Sequence, residues 1–547
     1  MNNIRMAVSM VIIAHIVHAQ GSVMLVGGGA ENYNRWSDEP YGWFVAEADS
    51  GIVINIDVGD DSDWYPEYFV WLGADSASHG MRIATRAQAN DQSVYEELVE
   101  ADAIFIEGGD QWDYVYTWKG TLVEDAIHAV FARGGAIGGT SAGLAILGEV
   151  VFDARHGTAY PDEVAYDPYD YYATLTDDFL SILPNVITDS HFHGRGRLGR
   201  LVPFIARRIQ DHGQANIMGI GVEEKTAFCI DPDETGTVYG EYVTIVSGTE
   251  QSEIHCVEDI PITFTHVLCD QLLHEAVYDL RERRLVDPGR YLEPLQPELP
   301  PFPQFQAVVL DGSDEAAAEL GTIEITELDS DPDNWWYGDL GEQAGEDIVP
   351  RSVIIPRLWN DSDYFANRWI GGMLGIAAHE RFMTVYLDDE CTASLSQEGI
   401  IETDQMMYLL NGIGVNHIGT SAYDMPGFVG ARLHFLGPGD SVDVKTFYAL
   451  NTVEPPNHPG DISITSIYPN PARSEITVRY TLHRNTELDL AVYDLNGRLT
   501  RTLREDLPMW KGSHVFTWHP TDLSSGIYQI RIQTGDLCTH HPIVIVH

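Results

Sequence analysis

Basic residues are scarce in this chain of 547 residues: 31 Lys and Arg stand against 83 Asp and Glu, a net charge of −52. Nucleic-acid binding needs clustered cations to meet phosphates, and that deficit argues against it. The acidic excess fits either a solvated surface or attraction of a cationic substrate. Cysteine is also scarce. The five thiols (Cys229, Cys256, Cys269, Cys391, Cys538) are too scattered for a disulfide framework, and none sits in a CxxC pair. One or two bridges stay open, with an odd thiol left over. No metal-ligand spacing stands out: His191 and His193 have no acidic or thiol partner at a short interval, so neither metal nor cofactor is expected. Long apolar runs are missing except at the N-terminus. There Met6–Val17 follows Arg5 and ends at Val17-His18-Ala19, the layout of a secretory signal peptide (1–19) cleaved near Ala19. It is too short to span a membrane comfortably. Its alternative, a buried first strand, is weakened by the good strand that follows at Val23–Val26.

What is present suggests two to four domains. Residues 20–290 alternate short apolar runs (SVMLVGG, IVINIDV, AIFIEGG, GAIGGTSA) with helical patterns at 93–102 and 121–135. That alternation predicts βαβ units: an α/β fold with a parallel sheet flanked by helices, whose ligands sit at the carboxyl ends of the strands. Residues 291–305 are proline-rich and read as a semi-rigid linker. Residues 306–453 read as a mostly β middle domain. Its Trp335, Trp336, Tyr337, Trp359 and Trp369 suit either ligand stacking or a core. One internal echo links 219–235 to 375–392. After a second linker (454–461), residues 462–547 alternate strands with turn signals and predict a C-terminal β-sandwich.

The chemistry-bearing stretch is Gly139-Thr140-Ser141-Ala142-Gly143, a G-x-S-x-G pattern between an apolar run and a helical one. Such a turn either holds a serine hydroxyl at the top of a sheet or is a plain strand-to-helix turn. A nucleophilic serine needs a base, and His191 follows the apolar run Ile182–Ile187, level with Ser141. A carboxylate should fix the imidazole tautomer, and Glu223 and Glu224 are both placed for it. The Ala142 amide and a second glycine turn, Gly108-Gly109-Asp110-Gln111, are candidates for an oxyanion hole, with Gln111 reaching substrate. Arg195, Arg197 and Arg200 either clamp a substrate carboxylate or pair with nearby acids. A second GTSA (419–422) lacks the closing glycine, and Pro426 obstructs a following helix, so it reads as a decoy.

GGG-x-E (Gly27, Gly28, Gly29, Glu31), GGDQ (108–111), GTSAG (139–143), DSHF-x-x-R-x-R-x-GRL (189–201 region) and GIGVEE-x-TA (219–227) stand in the order of the cyanophycinase and dipeptidase E family of serine peptidases, which residues 21–289 resemble. The resemblance implies a fold similar to class I glutamine amidotransferases with serine replacing cysteine. It implies Ser141 as nucleophile, His191 as base, Glu224 as orienting acid, an oxyanion hole from Gly108, Gly109 and Ala142, and a substrate pocket lined by Gln111, Asp189, Arg195, Arg197 and Arg200. The implied substrate is an Asp/Arg-containing peptide or polymer: cyanophycin or β-aspartyl peptides. The sequence departs from the family at Leu144, at His193 and in the Tyr- and Asp-rich insertion 153–178. A surface-binding protein that kept the fold is one alternative. An esterase is another, although its triad order places the acid before the histidine.

ITSIYPNPARSEITVRY (464–480), AVYDLNGRLTRTL (491–503) and SSGIYQIRI (524–532) resemble the C-terminal sorting domain of the type IX secretion system, apart from the ending HPIVIVH, which lacks a basic residue before it. The resemblance implies secretion or surface display by a Gram-negative cell. Expected partners are therefore a peptide or polymer substrate and the secretion machinery, with a homodimer also open and no nucleic acid.

Overall fold

The computed structural model describes residues 21–59, 64–296, 298–326, 341–359, 368–422 and 425–449, and, toward the C-terminus, 462–468, 476–482, 486–494, 498–509, 512–520, 523, 526–534 and 537–545. The expected signal peptide, Trp335, Trp336, Tyr337 and the linker 454–461 lie outside them. Strands β1 (Val23–Val26), β2 (Val53–Asp57), β3 (His79–Arg82), β4 (Ala103–Ile106) and β5 (Ala136–Thr140) run parallel in the spatial order β1-β5-β4-β2-β3. All four residues of β1 are buried because both faces are covered. Met24 and Val26 pack with Tyr41, Phe44, Phe69 and Phe105, whereas Val23 and Leu25 meet Ile104, Ile127 and Val130. The helix Leu122–Ala132 supplies part of that second layer by burying Val123, Ala126, Ile127 and Val130, an i, i+3, i+4, i+7 stripe. The helices expected at 93–102 and 121–135 span Gln92–Leu98 and Leu122–Ala132. The first stops short because the chain tightens into a turn, Glu100 N–H to the Glu97 carbonyl and Ala101 N–H to that of Leu98, before entering β4; the second because Gly134 takes φ +96°.

A second sheet carries the other half of the site. Gly148–Phe152, Leu183–Asp189 and Met218–Val222 are parallel, and Tyr242–Ser247 and Ile260–Leu273 continue the sheet antiparallel. Here the domain layout read from the sequence needs correction. Ile260–Leu273 pairs along Pro426–Leu436, with Cys269 opposite Ala431, so strands of 306–449 extend this sheet to fifteen. Met1–Leu450 forms one compact unit and Asn451–His547 a second. The proline-rich 291–305 is not a free linker: Glu293–Pro294 pairs with His417 and Ile418, and Leu292 and Phe305 are buried. Proline is tolerated there because such a short edge pairing needs few N–H donors.

Within the middle block Trp369 is fully buried against Tyr386 and Tyr408, a core residue rather than a stacking platform. The internal echo has a counterpart only in its second half, where Ala227–Ile230 and Met383–Leu387 are both buried strands; in the first half Met218–Val222 is a strand while Trp369–Ala378 is a helix. Cys229, Cys256, Cys269 and Cys391 are buried free thiols, so no bridge forms among these four. Among the described residues no helix is long and apolar enough to cross a membrane. Among the described residues the C-terminal unit has two antiparallel sheets, of three and four strands. Ile476 and Val478 from one and Leu490, Val492 and Ile530 from the other share one core.

Candidate active site

The end of β1 organises the site. Beyond Met24 the backbone carbonyls of Val26, Gly27 and Gly28 accept N–H bonds from Ser141 (2.9 Å), His191 (2.8 Å) and Lys225 (2.8 Å). Three loops from three distant parts of the chain are thereby stitched to consecutive residues of one strand end. Glycine is required for this approach. A Cβ on Gly28, which takes φ +103°, would lie 2.4 Å from Cε1 of His191.

Ser141 sits in the turn from β5 into the short helix Ala142–Ala145 at φ 53° and ψ −113°. A non-glycine residue held there costs about 1–3 kcal/mol, which only the surrounding structure can sustain. The G-x-S-x-G glycines have separate steric reasons. A Cβ on Gly143 would lie 2.2 Å from the Ile106 carbonyl oxygen, and one on Gly139 would lie 2.5 Å from the Gly143 backbone. The turn lifts the hydroxyl into hydrogen-bond contact with the ring of His191, Oγ to Nε2 2.8 Å. On the other side of the ring Nδ1 bonds the Glu224 carboxylate. Burial pushes the His191 pKa below its ordinary value, Glu224 opposes that, and Arg195 and Arg197 add to the depression. The hydrogen bond from His191 holds Glu224 below the usual carboxylate range despite its partial burial. Both directions favour neutral imidazole beside ionised carboxylate, the state in which Nε2 accepts a proton from the hydroxyl.

The structure separates the two glutamates and the two histidines that the sequence left side by side. Glu223 is buried and accepts N–H bonds from His193 (2.6 Å), Gly194 (3.1 Å) and Glu224 (2.8 Å) and the Tyr242 hydroxyl (3.1 Å). It shapes the loop rather than touching the imidazole of His191. His193 is buried too, its Nε2 within 3.0 Å of both Thr244 Oγ1 and Gln271 Oε1. Burial pushes its pKa down to about 3.

Gly108 lies against the serine, since a Cβ there would be 3.3 Å from that of Ser141; Gly109 follows it on the exposed rim. The Tyr114 hydroxyl pins this glycine turn through Asp57 (2.9 Å) and the carbonyls of Glu107 and Gly108. Gln111 begins the helix Gln111–Trp118, partly exposed, with Asp110 capping the helix through the Trp112 N–H.

The expected substrate pocket is corrected in three of its members. Asp189, Arg197 and Arg200 are buried against one another instead of lining an opening. Arg200 grips Asp189 in a two-pronged pair (Nε–Oδ2 2.8 Å, Nη2–Oδ1 2.7 Å), and Arg197 adds Nη1–Oδ1 at 3.1 Å and a bond to the Ser190 carbonyl at 2.7 Å. Burial alone would raise the Asp189 pKa, but the two guanidiniums outweigh it and hold it low. The cluster fixes the strand end that carries His191. Of the three arginines only Arg195 is partly exposed, and its charge acts on both His191 and Glu224.

Two features were not legible beforehand. Glu31 of the GGG-x-E motif accepts the Tyr41 hydroxyl (2.9 Å) and that of Thr140 (3.3 Å), bracing the residue before the serine. Burial raises its pKa. A cleft of about 820 Å³ opens beside Glu224, and the middle block supplies Ser421, Ala422 and Met425 to its wall. Its only sequence signal is the second GTSA. Among the described residues no group of three or more His, Cys, Asp or Glu is arranged to hold a metal ion.

Residues 62–238 match the model of peptidase family S51. Two proteins named cyanophycinase are similar to the chain. One from Synechococcus elongatus is 31% identical over 211 residues, covering 38% of this chain and 58% of that protein. The other, from Geminocystis herdmanii, is 27% identical over 242 residues, covering 43% and 84%. The chain thus spans 58% of the length of the first of these relatives. Two solved structures are similar at lower identity. A peptidase from an acI-B1 Actinobacterium has a TM-score of 0.31 at 18% identity, covering 48% of this chain and 98% of that one. A peptidase E protein from Listeria monocytogenes has 0.28 at 16%, covering 41% and 99%. Residues 466–546 match a secretion system C-terminal sorting domain, which supports secretion or a cell-surface location for the S51 segment it follows.

Proposed function

We propose that the chain is an exported serine peptidase hydrolysing Asp- and Arg-containing peptides or polymer, cyanophycin or β-aspartyl peptides, through Ser141, His191 and Glu224. The observation that carries this reading is the 2.8 Å approach of the serine hydroxyl to an imidazole whose far nitrogen is bonded to a carboxylate. Ser141 attacks the peptide carbonyl while His191 Nε2 takes the hydroxyl proton, and Glu224 steadies the imidazolium that forms. The amides of Gly108, Gly109 and Ala142 stabilise the oxyanion, and each such donor is typically worth about 100- to 1000-fold in rate. His191 returns its proton to the leaving amine, which departs. Water, deprotonated by the same ring, then hydrolyses the acyl-enzyme. Gln111 and Arg195 face the substrate, while Asp189, Arg197 and Arg200 act as positioning residues beneath the loop. Residues 1–19 direct export and the C-terminal domain engages the secretion machinery.

The test is incubation with cyanophycin, a β-aspartyl dipeptide and a simple ester, each beside the Ser141→Ala protein. Peptide hydrolysis by the natural chain and none by the variant is the expected result. Hydrolysis of the ester alone would point to an esterase. Activity on none would leave a binding protein on a peptidase fold.

A further inference from the structure

The insertion 153–178 has no role in the chemistry above, yet it walls one side of a groove of about 710 Å³. The opposite wall is the helix Gln111–Trp118. Four cations line this groove: Arg86, Lys119, Arg155 and Arg207. Their partners are unusual for so acidic a chain. Arg86 Nη1 donates to the Tyr116 carbonyl at 2.9 Å, and Arg207 Nη1 donates to the carbonyls of Pro168 (3.1 Å) and Ala173 (2.5 Å). The Arg155 guanidinium stands 5.1 Å from the Trp112 ring centroid and that of Arg207 stands 4.7 Å from Tyr169. Among the described residues Lys119 pairs with a carboxylate, that of the largely exposed Asp178, and Asp167 and Asp211 lie near enough to act on Arg207. In a chain of 83 acidic and 31 basic side chains, the exposed Arg86 and Arg155 are met here by a carbonyl and a ring rather than by a carboxylate.

The two lining acids keep their charge but are held by other groups. Asp153 is buried and occupied by the Thr176 hydroxyl (2.7 Å) and the Arg155 N–H (3.0 Å), and Asp170 caps the Tyr172 N–H (2.7 Å). The aromatic floor is open to solvent: Tyr116 is 63% and Tyr171 66% exposed. A net charge of −52 repels anions from most of the surface, so a local basic groove concentrates them where it lies.

We infer that this groove is an exosite for the carboxylate-bearing flank of a peptide or polymer substrate, a deepening that rests on the peptidase reading. Two connections favour a peptide continuous with the active site over an unrelated anionic ligand. Trp112 directly follows Gln111, and the insertion is tied to the loop under His191 by the bond from Arg200 Nη1 to the Ala159 carbonyl (3.2 Å). An eight-residue helix is about 12 Å long, enough to support about three or four residues of an extended chain. Guanidiniums bind carboxylates in pairs of hydrogen bonds, and the tyrosines cover the stems between them.

The experiment is calorimetric titration of the full-length Ser141→Ala protein with deca-aspartate, a neutral Gly-Ser decapeptide and an alginate oligomer of matched charge. Deca-aspartate should bind, the neutral peptide should not, and alginate should bind at least tenfold more weakly. Arg155→Glu should weaken deca-aspartate binding at least tenfold and Arg155→Lys by less. Tyr171→Ala, in the exposed floor, serves as a second probe should Arg155→Glu fail to fold. Equal binding by these variants, or alginate binding as tightly as deca-aspartate, would overturn the inference. Binding does not need the serine, so loss of the exosite and loss of the peptidase reading are told apart: the first leaves dipeptide hydrolysis intact, the second leaves deca-aspartate binding intact.

Discussion

The chain contains the tetrapeptide Gly-Thr-Ser-Ala twice, and the two copies do different things. At 139–142 it bridges a parallel strand and a helix, and Ser141 takes φ 53° beneath the imidazole of His191. At 419–422 it leaves a short antiparallel strand, and the Ser421 hydroxyl accepts the Met425 N–H at 3.2 Å and bonds the Glu241 carboxyl. The letters are the same, but the first copy has β1 beside it. The carbonyl of Val26 fixes Ser141, and the next two carbonyls fix the loops of His191 and Glu224. Among the described residues the second copy has no such strand end, and the Ser421 N–H bonds the Met425 carbonyl instead. A serine turn becomes chemically useful when the neighbouring backbone brings a base and an acid to it, and that information lies far from the motif.

The sharpest way to break this contrast is to remove each hydroxyl in turn. Ser141→Ala should lower kcat on a β-aspartyl substrate by about 10⁴-fold or more, and Ser421→Ala should leave it within about twofold of the natural protein. Comparable losses would make the second copy part of the machinery. Next in size is the buried ion cluster under the first copy. Asp189→Ala strands Arg197 and Arg200 in the interior and should cost about 3–5 kcal/mol of stability in urea unfolding. A change below about 1 kcal/mol would mean that the cluster is not what holds the loop. Gly28→Ala sharpens the role of β1. Its methyl would meet the His191 ring at 2.4 Å at a φ of +103° that alanine adopts only with strain, so the thermal melt should fall but stay cooperative while hydrolysis drops about 100-fold in the still-folded protein, as expected when a catalytic group is misplaced. Retention of full activity would show that the strand end does not set the imidazole.

The smallest effect expected is on pH. The base must be neutral, and burial with Arg195 and Arg197 holds its pKa below the ordinary 6.5, so the acid limb of kcat/KM should lie below pH 6.5. Arg195→Gln removes a repelling positive charge, makes protonation easier and should move that limb upward. A downward shift would contradict the sign of the electrostatics.

Much of the site was legible because its signals are local. A glycine needed for close approach, a serine between strand and helix, and a histidine just past a strand end can each be read from a few residues. What could not be read was partnership. Asp189, Arg197 and Arg200 are charged residues in a pocket motif, and nothing in their letters says that they satisfy one another out of reach of substrate. The single sheet running from Leu183–Asp189 through Ile260–Leu273 into Pro426–Leu436 was hidden for a related reason. Strand pairing across more than 150 residues leaves no periodicity, and the prolines of 291–305 imitate a boundary that the sheet crosses. The choice between Glu223 and Glu224, adjacent in sequence, rested on the resemblance until the N–H bonds to Glu223 distinguished them.

Whether the hydroxyl at 141 is the nucleophile can be read from intact mass spectrometry of acid-quenched enzyme during turnover of a β-aspartyl anilide. A covalent acyl adduct mapping to Ser141, absent from both Ser141→Ala and His191→Ala proteins, is expected. Turnover persisting in the Ser141→Ala protein, or an adduct carried by any other side chain, would contradict it.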